Sequence, residues 1–196
     1  MGSRDKILKN IMVNKPILKS KIELLPFFIH ENENLVDGFC SNLEVNDGTY
    51  KIINSKEELD ELLIEEIGDK SFVSLIESAK IKQNFQTSWL ENPKDLINTK
   101  LLIICGKIGV VENGAIWIDD STIHNLRVLP FIVERTIFII HQKDLVPTMH
   151  HAYLALEGLN TGFGTFVAGP SKTGDVEQNL IIGAHGPLSH LVVIVH

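Results

Sequence analysis

The sequence predicts an α/β fold built on a mostly parallel central sheet. Three observations lead there. Residues 101–105, 136–140 and 191–195 are continuous apolar runs of strand length. They lack the alternation of a half-exposed strand and suit strands covered on both faces. Helical patterning falls between the strand candidates, and strands that alternate with helices build parallel sheets. Finally, residues 145–196 hold only four charged side chains, but seven of the fourteen glycines and five of the eight histidines. Such a stretch reads as buried strands joined by tight loops rather than as surface helix.

Taken in order, residues 1–22 carry six bases and one acid, a net +5 against -12 for residues 23–196. Ser3 can cap a short amphipathic helix with Ile7, Leu8, Ile11 and Met12 on one side. This gives a basic helical arm over 1–22 and a single α/β domain over 23–196. Asn46-Asp47-Gly48 predicts a turn between two short strands, about 38–45 and 49–53. Ser55-Lys56-Glu57-Glu58 has the form of a capping box and opens a helix to about Ile67. Residues 72–76 form a strand candidate, Pro93 starts a short helix, and Pro147 opens a helix to about Leu159.

Composition removes several classes of function. At 196 residues, 44% hydrophobic and 22% charged, the chain suits one globular domain. No apolar run reaches the ~18 residues of a membrane span. A net charge of -7 argues against a general nucleic-acid binder. The basic N-terminus lacks the apolar core and small-residue cleavage pattern of a presequence, so a cytoplasmic protein is expected. Cys40 and Cys105 are the two cysteines. They are too few for a disulfide framework or for an Fe–S cluster, which takes about four thiolates.

Familiar catalytic signatures fail one by one. Gly162-x-Gly164 lacks the third glycine of a dinucleotide loop, and Gly169 is followed by Pro170 rather than by a P-loop lysine. What remains is the segment from Phe166 to Glu177. A strand is expected to end at Ala168, followed by a Gly-Pro turn, with Ser171 or Thr173 capping a short helix. Free N–H groups at such an end form an anion site. Asp175 and Glu177 fall in that helix's first turn, where they either complement the dipole or orient a ligand. Gly183-Ala184-His185-Gly186-Pro187 follows as a second glycine-framed turn. The two turns are expected to line one cleft at the carboxyl end of the sheet, with Glu112 nearby. The pair His150-His151 and the dispersed His141, His185 and His190 have no metal-ligand spacing, and no metal is expected.

The stretch from Ala168 to Glu177, followed by Gly183-Ala184-His185-Gly186-Pro187 and the apolar run 191–195, resembles the C-terminal signature of the LUD (lactate utilisation) domain family. The segment Ile108-Gly109-Val110-Val111-Glu112-Asn113-Gly114-Ala115 is similar to a second family block, with Asn113 and Ala115 in place of its two threonines. Leu188 replaces the polar residue usual after the His-Gly-Pro turn. Lacking ferredoxin-type cysteines, the chain resembles the stand-alone (LutC or YkgG type) member.

The resemblance implies a three-layer α/β/α fold of the NagB/RpiA/CoA-transferase-like kind. It also implies a part in oxidising L-lactate to pyruvate beside partner proteins that carry the Fe–S clusters, with no cofactor bound by this chain. In that reading Gly169, Pro170, Ser171, Lys172, Thr173 and Gly186 bind a small anion, and Glu112, Asp175 and His185 are the candidate catalytic groups. The alternative is a stand-alone acyl or CoA transferase, sugar-phosphate or folate enzyme, with Glu112 as nucleophile or base. Since two cysteines cannot hold a cluster and no flavin motif is visible, the purified protein should be colourless. A band near 400–450 nm with stoichiometric iron or flavin would contradict this.

Overall fold

The computed structural model describes residues 2–15, 34–159, 162–174 and 180–196. In chain order the elements are α1 (Ser3–Val13), α2 (Leu35–Val45), β1 (Thr49–Ile53), α3 (Lys56–Ile67), β2 (Phe72–Ser74), α4 (Ser88–Glu91), β3 (Leu101–Cys105), β4 (Ile108–Val110), β5 (Ala115–Asp119), α5 (Leu129–Ile132), β6 (Arg135–His141), β7 (Leu145–Val146), α6 (Met149–Ala155), β8 (Gly164–Val167), β9 (Lys172–Gly174), β10 (Leu180–Ile182) and β11 (Ser189–Val195). Short 3₁₀ turns occupy Pro93–Leu96, Val111–Asn113 and Gln142–Asp144.

Strands β1, β11, β6, β3 and β2 pair in that order, all parallel. Successive residues of a strand point to opposite faces. Leu101, Ile103, Ile137, Ile139, Leu191 and Val193 meet Leu59, Leu62 and Leu63 of α3 on one face. On the other, Leu102, Ile104, Phe138, Ile140, Val192 and Ile194 meet Phe39 and Leu43 of α2 and Ile116 and Ile118 of β5. A strand covered on both faces must be apolar throughout, which is why these three runs show no alternation.

The layer over the second face is more than helix. Strands β7, β4, β5 and β8 form a mixed sheet beside α2. Its far face carries α6 through Ala152 and Met149, packed on Ile108, Val110 and Phe166. Gly109 permits the close approach of this layer: a Cβ there would lie 2.5 Å from Leu145 and 3.3 Å from Phe39. Strand β5 ends in Asp119, a buried carboxylate held by Lys107 Nζ at 2.6 Å and by the Ser121 hydroxyl at 2.7 Å.

Helix α3 starts where its capping box predicts. The Ser55 hydroxyl accepts the Glu58 N–H at 3.1 Å, while the Glu58 carboxylate accepts the N–H of Asn54 at 2.8 Å. Three other expectations change. The strand expected at 38–45 is helix α2, and only 49–53 is a strand. The buried residues Val36, Phe39, Cys40 and Leu43 fall at i, i+3, i+4 and i+7, a helical stripe, and Asn34 caps the helix by accepting the Val36 N–H. The helix expected to open at Pro147 and run to about Leu159 is α6, which begins after Thr148 and ends at Ala155, so Pro147 precedes it. Helix α1 is capped at Gly2 rather than Ser3, and none of its side chains is buried; the rest of the arm, 16–22, lies outside the described residues.

Phe39 is fully buried between α2 and the sheet. Phe39→Ala should therefore cost about 3–5 kcal/mol in urea unfolding. A loss below about 1 kcal/mol would mean that α2 is not part of the main core.

Candidate functional site

The two glycine-framed turns do meet. Strand β8 runs into Gly169, which has a positive φ of 71°. A Cβ there would also sit 2.1 Å from the Asn46 carbonyl oxygen, so only glycine fits the turn against the end of α2. Ser171 donates its N–H to the Pro187 carbonyl and accepts the Gly183 N–H, both at 2.9 Å. Gly186 packs so closely on Ser171 that a Cβ would lie 2.8 Å from the serine Cβ. Between the turns is a cavity of about 270 Å³, walled by Phe131, Gly169, Pro170, Ser171, His185 and Gly186.

The chemistry of this cleft departs from the expectation. Residues Lys172–Gly174 form β9 and pair antiparallel with β10. Neither Ser171 nor Thr173 starts a helix, so among the described residues of this cleft no helix N-terminus is placed to hold an anion. The Ser171 N–H is already bonded, and Lys172 Nζ lies 2.6 Å from the Asp47 carboxylate. Asp175 and Glu177 lie outside the described residues. The cleft also sits at the amino ends of β6 and β11, since Phe131 leads into one and Pro187 into the other. The expected carboxyl-end placement fails because β8 belongs to the second sheet, and its end faces the opposite edge of the main one.

Glu112 does not line the cleft. It is exposed in the 111–113 turn, and its carboxylate accepts the Met149 N–H at 2.9 Å, at the start of α6. Among the described residues, no group of three or more His, Cys, Asp or Glu side chains is placed to hold a metal ion. None of their helices is long and apolar enough to cross a membrane.

The carboxyl ends of the parallel strands open into a larger cavity of about 550 Å³, which sequence reasoning missed. Asp60, Cys105 and His141 line it. A signal was present: Cys105 and His141 each end an apolar run, and Asp60 interrupts the apolar face of α3.

A five-stranded parallel sheet between helices, with a mixed sheet on one side, defines an α/β protein with openings at both sheet edges. The LUD domain profile matches residues 90–195, and the chain belongs to that family. Lactate utilization protein C of Exiguobacterium sp. (strain ATCC BAA-1283 / AT1b) is 34% identical over 107 residues, 48% of this chain and 46% of that one. YkgG of Escherichia coli (strain K12) is 24% identical over 154 residues, 68% and 66% of the two chains. The chain thus spans about half the length of the first of these curated relatives and two thirds of the second. A crystal structure of a DUF162 family protein from Deinococcus radiodurans shares the fold, with a TM-score of 0.59 and 17% identity over 83% of this chain and 96% of that one.

His190 is fully buried in β11. Its Nδ1 meets the Thr136 hydroxyl at 2.7 Å and its ring stands edge-on to Phe138, while Nε2 has no partner. Burial pushes its pKa from 6.5 down to about 4. Between these values the unfolded chain binds a proton that the folded chain does not, so acid favours unfolding. The stabilisation is whole above pH 6.5 and lost by about pH 4. At ~1.4 kcal/mol per unit the loss is on the order of 3 kcal/mol. His190→Asn keeps a polar atom for Thr136 without the titration. Its stability deficit should therefore shrink as pH falls through that window, and parallel stability curves would refute this origin.

Proposed function

We propose that this chain acts in lactate utilisation as the cluster-free component of an Fe–S-dependent system oxidising L-lactate to pyruvate, and that it holds the small carboxylate. The observation carrying this reading is the LUD domain over 90–195, together with similarity to proteins named lactate utilization protein C. The oxidation releases two electrons and two protons. This chain has two cysteines, one buried in α2 and one exposed at the end of β3. In this reading the electrons pass to clusters in partner proteins, while this chain binds and positions the acid.

The test is reconstitution. Candidate Fe–S partners are mixed with L-lactate and an artificial electron acceptor, with and without this chain. The reading expects pyruvate to form in step with acceptor reduction only when the chain is present. An equal rate in its absence would remove this chain from the oxidation.

A further inference from the structure

All five parallel strands end at one edge, where the 550 Å³ cavity opens. Its walls come from the first turn of α3, the loop after β2, and the strand ends at Cys105, His141 and Val195. Asp60 is the notable group. It is 3% exposed, and its Oδ1 is buried without a hydrogen-bond donor. Among the described residues it is the one buried carboxylate oxygen in that condition. Packing does not call for it, since Leu59, Leu62 and Leu63 supply the helix's contact with the sheet. A buried carboxylate without a partner is costly, and a ligand carrying an O–H or N–H group would satisfy it.

The same wall offers the opposite polarity one turn away. The Ser55 hydroxyl takes the Glu58 N–H, so the N–H groups of Lys56 and Glu57 are left without intrahelical acceptors. Both residues line the cavity, as do the ammonium-bearing Lys80 and, on the same loop, the carboxylate-bearing Glu77. On a helix the Cα–Cβ bonds tilt toward the N-terminus, and Asp60 lines the same cavity wall as Lys56 and Glu57. Residues 56 and 60 are neighbours on one face, about 5–6 Å apart. An acceptor and a pair of free N–H groups on one cavity wall suit a ligand that carries a hydroxyl beside a carboxylate. Apolar Ile139 and Val195 line the cavity beside them.

We propose that this crevice binds a 2-hydroxy carboxylate, its hydroxyl donating to Asp60 and its carboxylate resting on the N–H groups of Lys56 and Glu57. This rests on the carboxylate-holding role proposed above and narrows it. A 2-keto acid has no O–H to give Asp60, so the crevice discriminates substrate from oxidised product. The cavity exceeds a three-carbon acid in size, so the class includes longer 2-hydroxy acids.

Calorimetric titration of the full chain with L-lactate, L-malate, D-gluconate and pyruvate tests this. At least one hydroxy acid should bind, about tenfold or more tighter than its keto counterpart, with pyruvate the counterpart of lactate. Asp60→Asn should erase that preference. The surface variant Lys56→Glu should weaken binding of the acid and, being exposed, leaves the fold intact should Asp60→Asn not fold. The inference is overturned if no hydroxy acid binds, if hydroxy and keto acids bind alike, or if Lys56→Glu is silent. Loss of binding in His185→Ala but not in Asp60→Asn would move the ligand to the other cleft and also overturn it. Reconstituted lactate oxidation separates the two readings. If it needs the chain but tolerates Asp60→Asn and Lys56→Glu, only the crevice inference fails. If a longer hydroxy acid binds through Asp60 while oxidation ignores the chain, only the lactate role fails.

Discussion

Covering both faces of β3, β6 and β11 at once is the constraint on which the structure depends. It requires α3 on one side and α2 with the mixed sheet on the other. Nearly every fully buried side chain of the three strands is aliphatic, because a polar group there would lose water without gaining a partner. His190 is admitted only with Thr136 beside it and its ring held neutral. With the faces closed, the two edges of the sheet are where the chain can meet small molecules.

What the sequence made legible follows from that constraint. Apolar runs without alternation are distinctive, so the central strands could be read at once. The glycine pair at 169 and 186 was legible because close backbone contact leaves few alternatives. Helix α2 was not, because Gly38 and the following Asn-Asp-Gly turn imitate a hairpin, while its four-residue stripe is short. Ser171 and Thr173 suggest a helix start because their hydroxyls suit a cap, but the same residue types are at home in a strand, and Lys172–Gly174 pairs with β10 instead. The crevice draws on segments near 56–60, 105 and 141, and no local motif can announce a site assembled from such separated pieces.

The two openings divide the molecule by origin as well as by place. The cleft between the glycine turns lies wholly within the matched segment 90–195, whereas the crevice takes the start of α3 and the loop after β2 from outside it. Strand β6 has seven residues, so the edges stand roughly 20 Å apart at ~3.3 Å per residue. Substitutions in α3 can alter one opening without disturbing the glycine-locked turns of the other.

Strand order also dictates when the molecule can assemble. Strand β11 lies between β1 and β6, so Thr49 finds its partner at Leu191. Until residues 189–195 have left the ribosome, β1 has no neighbour in the sheet, and its N–H and C=O groups remain unpaired. The pairing closes a very long loop, the kind of contact that slows folding. Strands β2, β3 and β6 can associate earlier, since their segments emerge in spatial order. Until β11 is in place, a sheet of these three strands leaves the β6 edge without its native neighbour and open to pairing with other chains. Insertion of β11 both heals that edge and fixes the strand preceding α3.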